Sequence, residues 1–148
     1  MIKKILVPTD GSDHARKATE FASDIASKYH ATLYFFHVVS EIEMLEDTLG
    51  YSKLERTKKP PLRVYLQKIG EEIIRGAETE AGEKGVEDIQ SAVVHGDPAS
   101  EIIRFAKKWD VDMIVLGSRG MGKLEGLLLG NVSHKVCHLA ECTCVTVK

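Results

Sequence analysis

Glycines, two cations and a pair of polar side chains share one stretch, Gly117-Ser-Arg-Gly-Met-Gly-Lys-Leu-Glu-Gly-Leu-Leu-Leu-Gly-Asn-Val-Ser133. Without a Cβ, Gly117, Gly120 and Gly122 permit conformations and close approaches closed to other residues. Main-chain N–H groups can therefore come near a ligand. Arg119 and Lys123 add local positive charge, and Asn131 and Ser133 offer an amide and a hydroxyl. Gly130 falls within a Leu-rich run that reads as helix, where glycine costs about 1 kcal/mol relative to alanine. Its place there suggests that something passes close to the backbone. Bare backbone, donors and cations at a helix start are what a phosphate requires. An ordinary glycine-rich turn accounts for one or two of these glycines, but not for the charged and polar residues among them.

Residues 117–123 also satisfy the G-x-x-x-x-G-K part of a Walker A loop. Leu124 stands where that loop needs a Ser or Thr hydroxyl for magnesium. No clear second acidic strand for the metal follows. The P-loop reading is set aside.

The segment needs a strand before it and a helix after it, and the sequence supplies both. Met113–Gly117 reads as a buried strand, and Leu128, Val132, Val136 and Leu139 recur at helical spacing. The same alternation runs along the whole chain. Ile5–Pro8 is a first strand, followed by the turn Thr9-Asp-Gly-Ser-Asp13 and a helix carrying Ala15, Ala18, Ala22, Ile25, Ala26 and Tyr29, with Ser12 or Asp13 as its cap. Ala31–Val38 is a second strand rich in β-formers. Residues 40 to 61 break the rhythm, acidic first, then basic, ending in Pro60-Pro61, and read as a surface excursion. Leu62, Tyr65, Leu66, Ile69, Ile73 and Ala77 define a helix that decays at Gly82 and Gly85. A strand near Ile89–His95 precedes a helix through about Trp109, started by Asp97 as N-cap and Pro98 at the first position. Cys142–Val147 is the fifth strand. Strands separated by single helices imply parallel pairing with right-handed crossovers, hence a doubly wound α/β sheet in one domain spanning 1–148.

Composition narrows the partners. Twenty basic against twenty-two acidic residues give a net charge of −2, so there is no broad cationic field for nucleic acid and any anion site is local. No apolar run approaches the ~20 residues that span a bilayer, and the polar start does not read as a signal peptide. Three cysteines form no disulfide framework. A cytoplasmic location is expected.

The spacing Gly117-x2-Gly120-x9-Gly130 resembles the ATP-binding signature of the universal stress protein family, G-x2-G-x9-G-(S/T). The resemblance extends to Ile5-Leu-Val-Pro-Thr-Asp-Gly-Ser12, His37-Val-Val39, Gly96-Asp-Pro98 and Asp112–Gly117. It implies a five-stranded parallel sheet of order 3-2-1-4-5, with the ends of strands 1 and 4 at the switch point where such sheets bind ligands. It further implies that Gly117, Gly120, Gly130, Asn131 and Val132 surround ribose and phosphates, and that Ser133 lies close to the phosphate tail. Arg119 and Gly122 belong to the same loop. Asp10 would lie near the ribose or the metal-bound phosphates, and the backbone of Val38, with Pro8 and Thr9, would frame the adenine. The implied ligand is ATP, with Mg2+ or Mn2+ carried by its phosphates. The implied assembly is a homodimer through the C-terminal strand, acting on a downstream protein. Asn131 departs from the signature's Ser or Thr, although its amide can still donate to a phosphate oxygen.

Several other residues invite chemistry. His134, Cys137, His138, Cys142 and Cys144 cluster in sequence, but lack the paired spacing of structural zinc sites; surface histidines and small buried cysteines are the simpler reading. Asp10, Ser12 and Asp13 serve as turn and capping residues, with only Asp10 carrying a family argument. No residue stands out as a base or water-positioning group for phosphoryl transfer. A regulatory nucleotide-binding protein of the stress response is therefore the leading expectation. A slow ATPase, or another nucleotide-using enzyme on the same scaffold, is the alternative, and a nucleotide-free dimeric module a third.

Overall fold

The computed structural model describes residues 1–40, 62–120 and 129–148. The excursion at 41–61 and the residues Gly122, Lys123, Leu124 and Leu128 lie outside them. The described elements run β1 (Lys4–Pro8), α1 (Asp13–Tyr29), β2 (Thr32–Ser40), α2 (Leu62–Glu83), β3 (Ile89–Gly96), α3 (Pro98–Lys108), β4 (Met113–Gly117), α4 (Asn131–Leu139) and β5 (Thr143–Val147). Every strand pair is parallel, in the order β3-β2-β1-β4-β5.

The alternation of side chains along each strand divides the core in two. Ile5, Val7, Leu33, Phe35 and Val115 meet Ala18, Ala22 and Ala26 of α1 and Ile74, Ala77 and Ala81 of α2 on one face. Leu6, Tyr34, Phe36, Ile114 and Leu116 meet Ala99, Ile102 and Ala106 of α3 and Val136 of α4 on the other. Both faces are covered, which is why these strands read as continuous apolar runs. The helices contribute mainly alanines, so their backbones lie close over the larger side chains of the sheet. The buried hydroxyls of Thr19 and Ser23 donate to the carbonyls four residues earlier, Ala15 and Thr19.

Local signals set most boundaries. Ser12 is the cap of α1, its hydroxyl accepting from the Ala15 N–H at 3.3 Å. β2 runs two residues beyond the expected Val38, because its pairing with β3 continues to Ser40 opposite Gly96. α2 passes through Gly82 and ends just before Gly85, whose φ is +81°. One boundary needs a larger correction: Gly130 is not inside a helix. It is the residue before α4, in extended conformation, so the helix-interior cost assigned to it does not apply.

The three cysteines are free and half-buried. Burial, with Cys137 and Cys142 beside it, pushes the Cys144 thiol up to about 12. Burial likewise raises Cys137 and Cys142. Thiols so held are protonated and poor nucleophiles.

Asp97 caps α3, accepting from the Ser100 hydroxyl at 2.6 Å and from its N–H at 3.0 Å. Those bonds hold its carboxyl below the usual value. The cap therefore stabilises the fold above the unfolded carboxylate value of about 3.9, and is lost as pH falls through the lower folded value. Asp97→Ala should cost about 1 kcal/mol at pH 7 and progressively less in acid. Thermal melts at neutral and strongly acidic pH check this, and an equal loss at both would refute the assignment.

Candidate functional site

The strand order makes the site. β1 lies between β2 and β4, and the chain leaves β1 toward α1 on one face and β4 toward α4 on the other. The two connections separate and leave a crevice at the carboxyl ends of the strands. A cavity of about 710 Å3 occupies this position. Pro8, Thr9, Asp10, Val38, Gly117, Arg119, Gly120, Gly130, Asn131, Val132 and Ser133 all line it. Of the residues expected to bind nucleotide, Gly122 falls outside the described chain, as does Lys123 of the same loop.

The turn after β1 is held by its own backbone and side chains. Thr9 N–H donates to the Phe36 carbonyl at 2.9 Å. Asp10 Oδ1 accepts from Ser12 N–H at 2.9 Å, which closes an Asx turn around Gly11, whose φ is +78°. The second carboxylate oxygen of Asp10 lies where a Cβ on Gly120 would fall. A side chain at 120 would have to displace the Asp10 carboxylate, and the two loops touch across the crevice.

β1 ends at Pro8, opposite Phe36, while β2 continues to Ser40. By the two-residue alternation of a strand, Val38 turns its N–H and C=O to the same side as Phe36. That side is the one β1 has vacated. Leu66, Ile69 and Ile73 of α2, with Pro98 and Ile102 of α3, add apolar lining.

Gly117 has a different reason to be glycine. A Cβ there would lie 2.7 Å from the His14 carbonyl carbon and 2.8 Å from the Ala15 nitrogen, so β4 ends directly against the backbone of α1. Ser118, fully buried, then ties three elements together. Its N–H donates to the Val147 carbonyl of β5 at 2.7 Å, and its carbonyl accepts from Gly130 N–H at 2.7 Å. Its hydroxyl shares a 2.9 Å hydrogen bond with Nδ1 of His14. Ser118 and His14 were given no role from sequence, although Ser118 stands between two residues that were.

Gly130 is glycine for neither reason. Its φ of −68° suits any residue, and a Cβ would meet no atom of the described residues nearer than 3.5 Å. Ser12 caps α1 from the same φ and ψ, −68° and 163°, using its hydroxyl. Gly130 has no side chain with which to do so, and α4 has no acidic residue in its first turn. The N–H groups of Asn131, Val132 and Ser133 therefore begin the helix without a side-chain cap. Such groups, with the positive end of the helix dipole, favour an anion. The Ser133 hydroxyl is itself buried and donates to the Gly117 carbonyl at 2.7 Å, so it is engaged within the protein. The exposed rings of His134 and His138 stack on the outer side of α4 and do not line the cavity.

Comparison with known proteins agrees with the fold. The model of the universal stress protein family matches residues 1–148. The chain is 36% identical to the universal stress protein YxiE of Bacillus subtilis, over 100% of both chains. Its structure resembles that of the hypothetical protein MJ0577, with a TM-score of 0.83 at 26% identity, covering 100% of this chain and 96% of that one. A universal stress protein from Archaeoglobus fulgidus, solved in complex with dAMP, shares the fold at a TM-score of 0.72 and 21% identity, covering 100% of each chain. From the match over its whole length and the relatives it shares, the chain belongs to the universal stress protein family.

Proposed function

We propose that the chain binds ATP in this cavity and acts as a nucleotide-dependent regulatory protein of the stress response. The observation that carries the reading is the uncapped start of α4, which opens into the same cavity as the β1–α1 turn. Phosphates are received by the N–H groups of Asn131, Val132 and Ser133, with Arg119 adding charge at the rim. Because Gly130 is demanded neither by its φ nor by a neighbour among the described residues, its bareness is explained by the ligand's approach. Asp10, held by Ser12, lies beside Gly120 where a ribose hydroxyl or a phosphate-bound metal would sit. Val38 offers one donor and one acceptor to the edge of an adenine, and Pro8 and Thr9 close over it.

Mg2+ or Mn2+ is carried by the phosphates rather than by a protein cage. Among the described residues no group of three or more His, Cys, Asp or Glu side chains could hold a metal. ATP then biases the preference of a dimer for a downstream protein, and turnover is at most slow. The dimer forms through β5, which among the described residues is an edge strand paired only with β4, and whose outer backbone groups suit a second copy. No described helix is long and apolar enough to cross a membrane.

Small molecules released by denaturing freshly purified protein, identified by mass spectrometry, should include ATP, and the stripped protein should bind Mg-ATP in calorimetry. An empty extract with no binding heat and no thermal shift would defeat the proposal.

A second experiment exploits the twin dihedrals of Ser12 and Gly130. In Gly130→Asp the carboxylate can cap α4 as Ser12 caps α1, raising stability by roughly 0.5 kcal/mol. The same carboxylate occupies the phosphate's place and repels it, so ATP affinity should fall by about a hundredfold. A variant that binds ATP like the parent would show that the phosphates dock elsewhere.

A further inference from the structure

His37 also lines the cavity; no role has been given to its side chain so far, yet it is seated with unusual constraint. Its Nδ1 lies 2.8 Å from the Thr9 carbonyl oxygen. A carbonyl only accepts, so Nδ1 carries the hydrogen, the tautomer that free histidine disfavours in water. The opposite edge of the ring lies against α2. A Cβ built on Gly70 would be 2.6 Å from Cδ2 of His37, 3.3 Å from its Nε2 and 3.0 Å from Cγ1 of Val93. Gly70 is buried in the helix at an ordinary φ, where glycine is otherwise unfavourable. The notch it leaves is filled by the imidazole.

The same helix touches the turn a second time. A Cβ on Gly11 would meet Cγ1 of Ile73 at 3.1 Å. α2 thus bears on Thr9 through His37 and on Gly11 through Ile73, with Asp10 between the two contacts.

We infer that His37, seated at Gly70, is a positioning residue for the Thr9–Ser12 turn and sets the direction in which Asp10 meets the cavity. Only its effect on affinity rests on the nucleotide reading; its effect on the turn does not. Packing alone needs a ring of this size, whereas positioning needs the Nδ1–H. His37→Phe keeps the ring and removes the donor. His37→Asn keeps a donor at the matching place with less bulk. Gly70→Ala closes the notch, and Gly76→Ala is its control on the same helix, where a Cβ would meet nothing within 4 Å.

Three readouts decide the matter: the imidazole tautomer from long-range 15N NMR, hydrogen exchange at Gly11 and Ser12 in nucleotide-free protein, and ATP affinity by calorimetry. His37 should show the Nδ1–H tautomer. His37→Phe and Gly70→Ala should speed exchange at Gly11 and Ser12 by about tenfold and weaken ATP by a similar factor, as expected for one lost hydrogen bond. His37→Asn and Gly76→Ala should stay near the parent in both. An Nε2–H tautomer, or parental exchange in His37→Phe, overturns the inference. If His37→Phe does not fold, the tautomer and the exchange of Gly70→Ala decide in its place. Should the parent bind no ATP while exchange responds as described, the positioning role stands and the nucleotide reading fails. Should the parent bind ATP and His37→Phe bind it equally, the positioning role fails and the nucleotide reading stands.

Discussion

The contact on which the site depends is backbone against backbone. β4 ends at Gly117 with no side chain between it and the first turn of α1, and everything that follows takes its place from there. The Gly117 carbonyl receives the Ser133 hydroxyl, which docks the first turn of α4. Ser118, next in the chain, bonds to β5 with its N–H, to Gly130 with its carbonyl and to His14 with its hydroxyl. A methyl group at 117 would push α1 away from the sheet and move each of these partners. Close packing makes such a displacement costly, because interiors at crystal-like density have no slack to absorb it.

The three described glycines of the family spacing therefore do three kinds of work. Gly117 lets a helix approach a strand. Gly120 leaves room for the carboxylate of Asp10. Gly130 meets no demand among the described residues and starts α4 without a side-chain cap. In the proposed reading the third is the one explained by a ligand; the other two bring the two halves of the crevice into register. A motif that reads as one phosphate cradle is, in physical terms, a packing residue, a clearance and an opening.

Much of this was legible beforehand. The alternation of apolar runs and helical periods gave the element order, and Asp97-Pro98 marked the start of α3 because a carboxylate cap and a proline at the first position act locally. The sheet order came from family resemblance, since periodicity alone does not say which strands are neighbours. Gly130 was misplaced because Leu128, Val132 and Val136 keep helical spacing straight across it, and a hydrophobic period carries no information about where a helix begins. The distinct reasons for Gly117 and Gly120 were hidden because each depends on a residue more than a hundred positions away, His14 and Asp10. His37 went unassigned for the same reason: its partners, Thr9 and Gly70, belong to other elements. The role of Gly122 rests on residues outside the described chain.

The central claim is that the bare N–H groups at the start of α4 receive the phosphates. Titrating isotope-labelled protein with Mg-ATP and following the amide resonances of Asn131, Val132 and Ser133 tests it most directly. Saturable shifts that are largest at these three amides, and at Gly120, are the predicted result. Saturable binding that leaves them unmoved while shifting amides elsewhere would contradict it.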